Sequence, residues 1–88
     1  MKIKNGFISR KVAGNNVVVA TGEQSKRFNG IIKLNESGLL LWNKLLAGAD
    51  KEALVTLLLD EYDITEDVAE ADVDKFVGAL RDVGAIED

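Results

Sequence analysis

Two residue types that carry much of protein chemistry are missing. The 88-residue chain has no cysteine and no histidine. Zinc sites of the Cys/His kind are therefore excluded within one chain. Nucleophilic sites built on a cysteine, or on a serine with a histidine base, are excluded too. Proline is absent as well, so none guards the edge of a strand. Long apolar runs are lacking: Leu39 to Trp42 is broken at once by Asn43 and Lys44. Nothing approaches the roughly 18 apolar residues of a membrane span. Lys2 and Lys4 near the start are not followed by an apolar region of signal-peptide length. These absences lead to the expectation of a cytoplasmic protein with no membrane partner. Phosphate-cradling glycine loops and the EF-hand loop are missing too, so no cofactor is expected.

What is present fits a folded domain. Hydrophobic residues make up 47% and charged residues 30%, a balance of globular rather than disordered chains. The length suits one domain over residues 1–88 with a single modest core. The net charge of -4 hides an asymmetry. Residues 1–34 hold seven basic residues and one acid, Glu23, whereas residues 35–88 hold four basic residues and fourteen acids. A basic front and an acidic back predict two different electrostatic faces.

Phe7 to Val12 alternates as a strand. Gly14-Asn15-Asn16 reads as a turn, and the β-branched run Val17 to Thr21 reads as a strand buried on both faces. Gly22 to Asn29 reads as a polar loop, and Gly30 to Leu34 as a third strand. The period then changes. Asn35 or Ser37 can cap a first helix carrying Leu39, Leu40, Leu41, Trp42, Leu45 and Leu46, with Gly48 at its exit. Asp50 caps a second helix. Thr65 caps a third that reaches about Val83, with Gly84 as its stop. Ala85 and Ile86 can pack back before the acidic end. Three strands followed by three helices predict an α+β domain, winged-helix-like in size.

Placing residues 66–83 at about 100° per residue gives a core stripe of Ala69, Val73, Phe76, Val77 and Leu80. Beside it lie Val68, Asp72, Ala79 and Val83, with Lys75 at the margin. The other flank holds Glu70, Asp74 and Arg81. The first flank is the more apolar; it either lines a groove or widens the core stripe. Asp72 and Asp74 lie two apart on a helix and do not face each other, so they make a poor metal pair. Asp60-Glu61-Tyr62-Asp63 and Glu66-Asp67 read as solvated acidic face. Trp42 among leucines reads as core. Lys26-Arg27-Phe28 reads as a loop tip, with nucleic-acid contact as the sharper option.

The stretch RFNGIIKLNESG (27–38) poses a question. Its strand, Ile31-Ile32-Lys33-Leu34, has one charge to blunt it, and a strand left at a sheet edge templates pairing with another chain. Neighbouring N–H groups on a strand point to opposite sides, so one of Ile31 and Ile32 donates outward. DNA binding by a winged helix is a rival reading, and an adaptor for one protein partner is another. Against DNA stand the acids of the third helix. Glu66, Asp67, Glu70, Asp72, Asp74 and Asp82 outnumber Lys75 and Arg81 and would repel phosphates.

Five segments, taken in order, carry a likeness: V-A-G (12–14), F-N-G-I-I-K-L-N-E-S-G (28–38), E-Y-D-I (61–64), D-V-x-x-F (72–76) and L-x-x-x-G (80–84). Together they resemble the PqqD-like proteins over about residues 7–86. The resemblance implies a non-catalytic peptide chaperone with a winged-helix-like fold. Such proteins bind the leader of a ribosomally made precursor peptide and present it to a modifying enzyme, often a radical S-adenosylmethionine enzyme. The leader adds as a strand to the third strand of the sheet and lies against the third helix. Carried onto this sequence, the edge is Gly30, Ile31, Ile32 and Lys33. The wall is Asp72, Lys75, Phe76, Ala79 and Val83. Nucleic acid is then not an expected partner.

Overall fold

A computed structural model describes all residues, 1–88. Three strands form one antiparallel sheet in the order β2 (Phe7–Val12), β3 (Asn15–Ala20), β4 (Ile31–Leu34). Three helices follow: α1 (Glu36–Ala47), α2 (Lys51–Glu61) and α3 (Glu66–Asp82). A second sheet pairs the chain ends, β1 (Lys2–Ile3) with β5 (Ile86–Glu87). The class is α+β, as the segregated elements predict.

Register explains which face each strand buries. Phe7 and Val18, with Ile32 and Leu34 of β4, belong to the side that meets the helical core. On the other side, Ile8, Val19 and Ile31 line up across the strands, and so do Arg10, Val17 and Lys33. Val17 is nonetheless only 2% exposed. Its position between two long basic side chains lets their methylene stems cover it. β3 is thus buried on both faces at Val17 and Val18, as its β-branched run predicts.

The hairpin turn sits one residue earlier than its sequence suggests. Ala13 and Gly14 take φ of 51° and 82°, the left-handed pair of a two-residue hairpin loop. A turn on Gly14-Asn15-Asn16 would shift the pairing of Val17 and Val18 and turn the wrong faces inward. The stretch after β3 is not an irregular loop. Gly22–Lys26 winds into a 3-10 turn, and Phe28 folds back onto the core. Gly30 makes room for it, because a Cβ there would lie 3.1 Å from the Phe28 ring.

Each helix is capped by the residue its sequence offers. Asn35, rather than Ser37, caps α1: its Oδ1 accepts from Gly38 N at 2.8 Å, while Ser37 Oγ donates to the same atom at 3.1 Å. Asp50 Oδ1 accepts from Ala53 N at 2.8 Å, and Thr65 Oγ1 from Val68 N at 3.3 Å. At the end of α3, Ala85 N donates to Leu80 O and Gly84 N to Arg81 O. With Gly84 at φ 76°, this is the Schellman arrangement. It drops Ala85 into the core at 0% exposure and carries the chain into β5. Trp42, Leu45, Leu54, Leu58 and Leu80 form the fully buried centre. Lys51 ties α2 to Asp74 of α3 at 3.0 Å.

Candidate functional site

The strand order leaves one side of β4 unpaired, and the hydrogen-bond phase says which groups lie open there. Thr21 N donates to Gly6 O at 2.7 Å, continuing the β2–β3 register in which Phe7 faces Ala20. Hydrogen-bonded pairs alternate along an antiparallel ladder. Val19 and Val17 therefore bond toward β2, and Val18 and Asn16 toward β4. Their partners Ile32 and Leu34 spend their main-chain groups on the sheet. Ile31 and Lys33 keep theirs, one N–H and one C=O each, on the open edge.

Beside that edge runs a groove of about 360 Å³. β4 supplies Ile32, Lys33 and Leu34. The start of α1 supplies Asn35, Ser37, Gly38 and Leu41, and α3 supplies Asp72, Lys75, Phe76 and Ala79. Six of the residues expected from sequence thus meet in one depression. Gly30 and Ile31 lie at the head of the edge, outside the lining. Val83, the C-cap of α3, is half-buried against the core and lies outside this lining. Of the two readings of this flank, Ala79 takes the groove and Val83 the core. Phe76 is half-buried: it packs on the edge of the core and also lines the groove, with its ring over Gly38. A Cβ on Gly38 would lie 3.3 Å from the Phe76 ring and 3.1 Å from Asn35 Oδ1. Gly38 was legible as a glycine in a first helical turn, where helix propensity alone disfavours it.

The groove runs on past β4 into a second cleft that shares Asn35, Ser37 and Asp72 with it and adds Glu36, Leu58, Tyr62 and Ile64. Sequence reading places Tyr62 in a solvated acidic run. The structure half-buries its ring and closes its hydroxyl off from solvent beside the Glu36 carboxylate, with no hydrogen bond of good geometry between them. Desolvation pushes its pKa up, and the nearby Glu36 carboxylate adds to the rise. No set of three or more His, Cys, Asp or Glu side chains is placed to hold a metal ion. The six acids of α3 named above are all exposed, which gives that helix a surface hostile to a phosphate backbone. No helix is long and apolar enough to cross a membrane.

The family model for coenzyme PQQ synthesis protein D (PqqD) matches residues 16–86. The chain belongs to the PqqD family. Among solved structures, this PqqD-family chain is similar to TbiB1 in complex with the TbiA(beta) leader peptide. The TM-score is 0.79 at 23% identity, covering 99% of this chain and 95% of that one. It is also similar to a lasso peptide synthetase B1 complexed with its leader peptide, with a TM-score of 0.76 at 20% identity, covering 99% and 96%. At these identities the likeness is one of fold. A search of curated proteins found no match.

Proposed function

We propose that this PqqD-family protein is a non-catalytic peptide chaperone. It binds the leader of a ribosomally made precursor peptide as an added strand on β4 and presents the peptide to a modifying enzyme. The observation that carries this reading is the set of unspent main-chain N–H and C=O groups of Ile31 and Lys33 beside an open groove. Strand addition draws affinity from such groups and specificity from the pockets beside them. The two similar structures support it, since each holds a leader peptide. Gly30, Ile31, Ile32 and Lys33 form the edge; Asp72, Lys75, Phe76 and Ala79 form the wall.

Titration of a fluorescent synthetic leader, from a precursor peptide encoded beside the gene, tests the reading. Saturable binding that weakens only modestly with salt is expected. A steep salt dependence, together with binding to duplex DNA, would favour the nucleic-acid reading instead. The modifying enzyme is proposed to be a radical S-adenosylmethionine enzyme, as the family likeness implies. Leader-dependent co-elution of the two proteins in size-exclusion chromatography checks that assignment, and separate elution removes it.

A further inference from the structure

On the face of the sheet turned away from the helices, two rows of side chains cross the strands and stop at the open edge. Ile8, Val19 and Ile31 make an apolar row, and Arg10, Val17 and Lys33 make a row with a base at each end. Ile8 and Ile31 are both exposed. The three strands carry no acid. Glu23, the one acid before Glu36, pairs with Lys26 at 3.4 Å, and neither Arg10 nor Lys33 has an ion-pair partner. Ile31 and Lys33 are also the residues with unspent main-chain groups. Both rows therefore end where an added strand would bond.

We propose that these two rows read the outward side of the bound leader, and that the leader carries an acid, any residue and an aliphatic residue, in that order, where it pairs with β4. The inference rests on the strand-addition reading. Both ladders already in the sheet are antiparallel, and a leader that continues them runs antiparallel to β4. Residues directly opposite each other in such a pair put their side chains on the same face. One leader residue then meets Ile31 and another meets Lys33 on the outer face. The residue between them, opposite Ile32, points to the groove that Ile32 lines. Cross-strand neighbours favour apolar beside apolar and opposite charges beside each other, while like charges destabilise. An aliphatic residue opposite Ile31 extends the apolar row onto a fourth strand. An Asp or Glu opposite Lys33 meets the unpaired ammonium, and Arg10 adds to the same field. Because the two strands run in opposite directions, the acid lies two residues N-terminal to the aliphatic residue. The groove thus selects the middle residue, and the outer rows select its two flanking neighbours.

The test is a coupling measurement with the synthetic leader. Each of its acids is replaced singly by lysine, and binding to the wild type and to Lys33→Glu is measured by anisotropy. Lys33 is exposed and unpaired, so this variant keeps the sheet intact. At one acid the reversal is expected to weaken wild-type binding about five- to tenfold, as an attractive cross-strand pair becomes a repulsive one. Lys33→Glu should bring the reversed leader back to within about twofold of the native pair. The aliphatic residue two positions C-terminal to that acid should couple to Ile31. Its replacement by alanine should cost about two- to fivefold against the wild type and less than about twofold against Ile31→Thr. A leader that binds with no acid coupled to Lys33, or with no coupled aliphatic residue two positions after the acid, overturns the proposal and leaves strand addition standing. A leader that fails to bind, or binds Ile31→Pro as tightly as the wild type, defeats the strand-addition reading and the proposal with it.

Discussion

Proline at position 31 isolates the edge hydrogen bond from everything else the residue does. The Ile31 N–H faces the open side of β4, and its side chain is 59% exposed. The sheet loses nothing when that N–H is removed, and proline is tolerated on an edge strand in this orientation. A stability change within about 0.5 kcal/mol is expected, as for other exposed sites. In the complex, the carbonyl of the added strand opposite Ile31 would lose its donor. An unsatisfied group of this kind costs about 1–3 kcal/mol, so leader affinity should fall by about 5- to 150-fold. Ile31→Ala keeps the N–H and controls for the lost side chain. Ile32→Pro provides the contrast: that N–H is directed at β3, so the variant should melt earlier whether or not peptide is present. The assay is anisotropy titration with thermal unfolding of each variant. If Ile31→Pro is folded and binds within twofold of the wild type, the edge is not where the peptide pairs.

Three further outcomes follow from local structure. Ala13→Asn, at φ 51°, should stabilise the hairpin by about 1 kcal/mol, which raises the melting temperature by about 4–8 °C in a domain of this size; calorimetry reads it directly. Gly38→Ala would normally strengthen a helix by about 1 kcal/mol. Here the new Cβ presses on Asn35 Oδ1 and the Phe76 ring, so we expect no gain in stability and leader binding weakened several-fold, read by the same titration. Hydrogen bonding to Arg81, at 2.7 and 2.9 Å, holds the Asp88 carboxyl below its ordinary value of 3.8. A depressed folded-state pKa contributes stability above the unfolded value and loses it as the pH falls through the folded one. Asp88→Asn should therefore be less stable than wild type at neutral pH, and the two should converge on acidification below about 3.8, as followed by denaturant midpoints against pH.

What was legible in the sequence was whatever depends on near neighbours. Asn35, Asp50 and Thr65 announce their caps because capping is a contact across three residues. Leu41, Trp42 and Leu45 announce the core through helical spacing. Features that depend on distant partners were not legible. β1 and β5 are two residues each, too short for a period, and meet where the turn at Gly84 brings Ala85 back to accept from Lys4 N. The hairpin turn falls on Ala13-Gly14 because the inward faces of Phe7 and Val18 fix the register, against the local preference for Gly-Asn-Asn. Phe76 carries the spacing of a core residue and does pack on the core, but its ring also faces the groove over Gly38, which spacing alone does not show. Tyr62 sits among acids in sequence, but α2 ends there with Tyr62 N donating to Leu58 O at 2.9 Å, and the ring turns inward beside α1. The edge was half legible: alternation left Ile31 and Ile32 as alternatives, and the pairing phase of β2 with β3 selects Ile31.

Amide exchange of individual β4 residues, with and without saturating leader peptide, tests strand addition most directly. On binding, the Ile31 and Lys33 amides should become protected, because they gain partners, while Ile32, already bonded to Val18, should change little. Saturable binding that leaves Ile31 and Lys33 exchanging as in the free protein would contradict strand addition at β4.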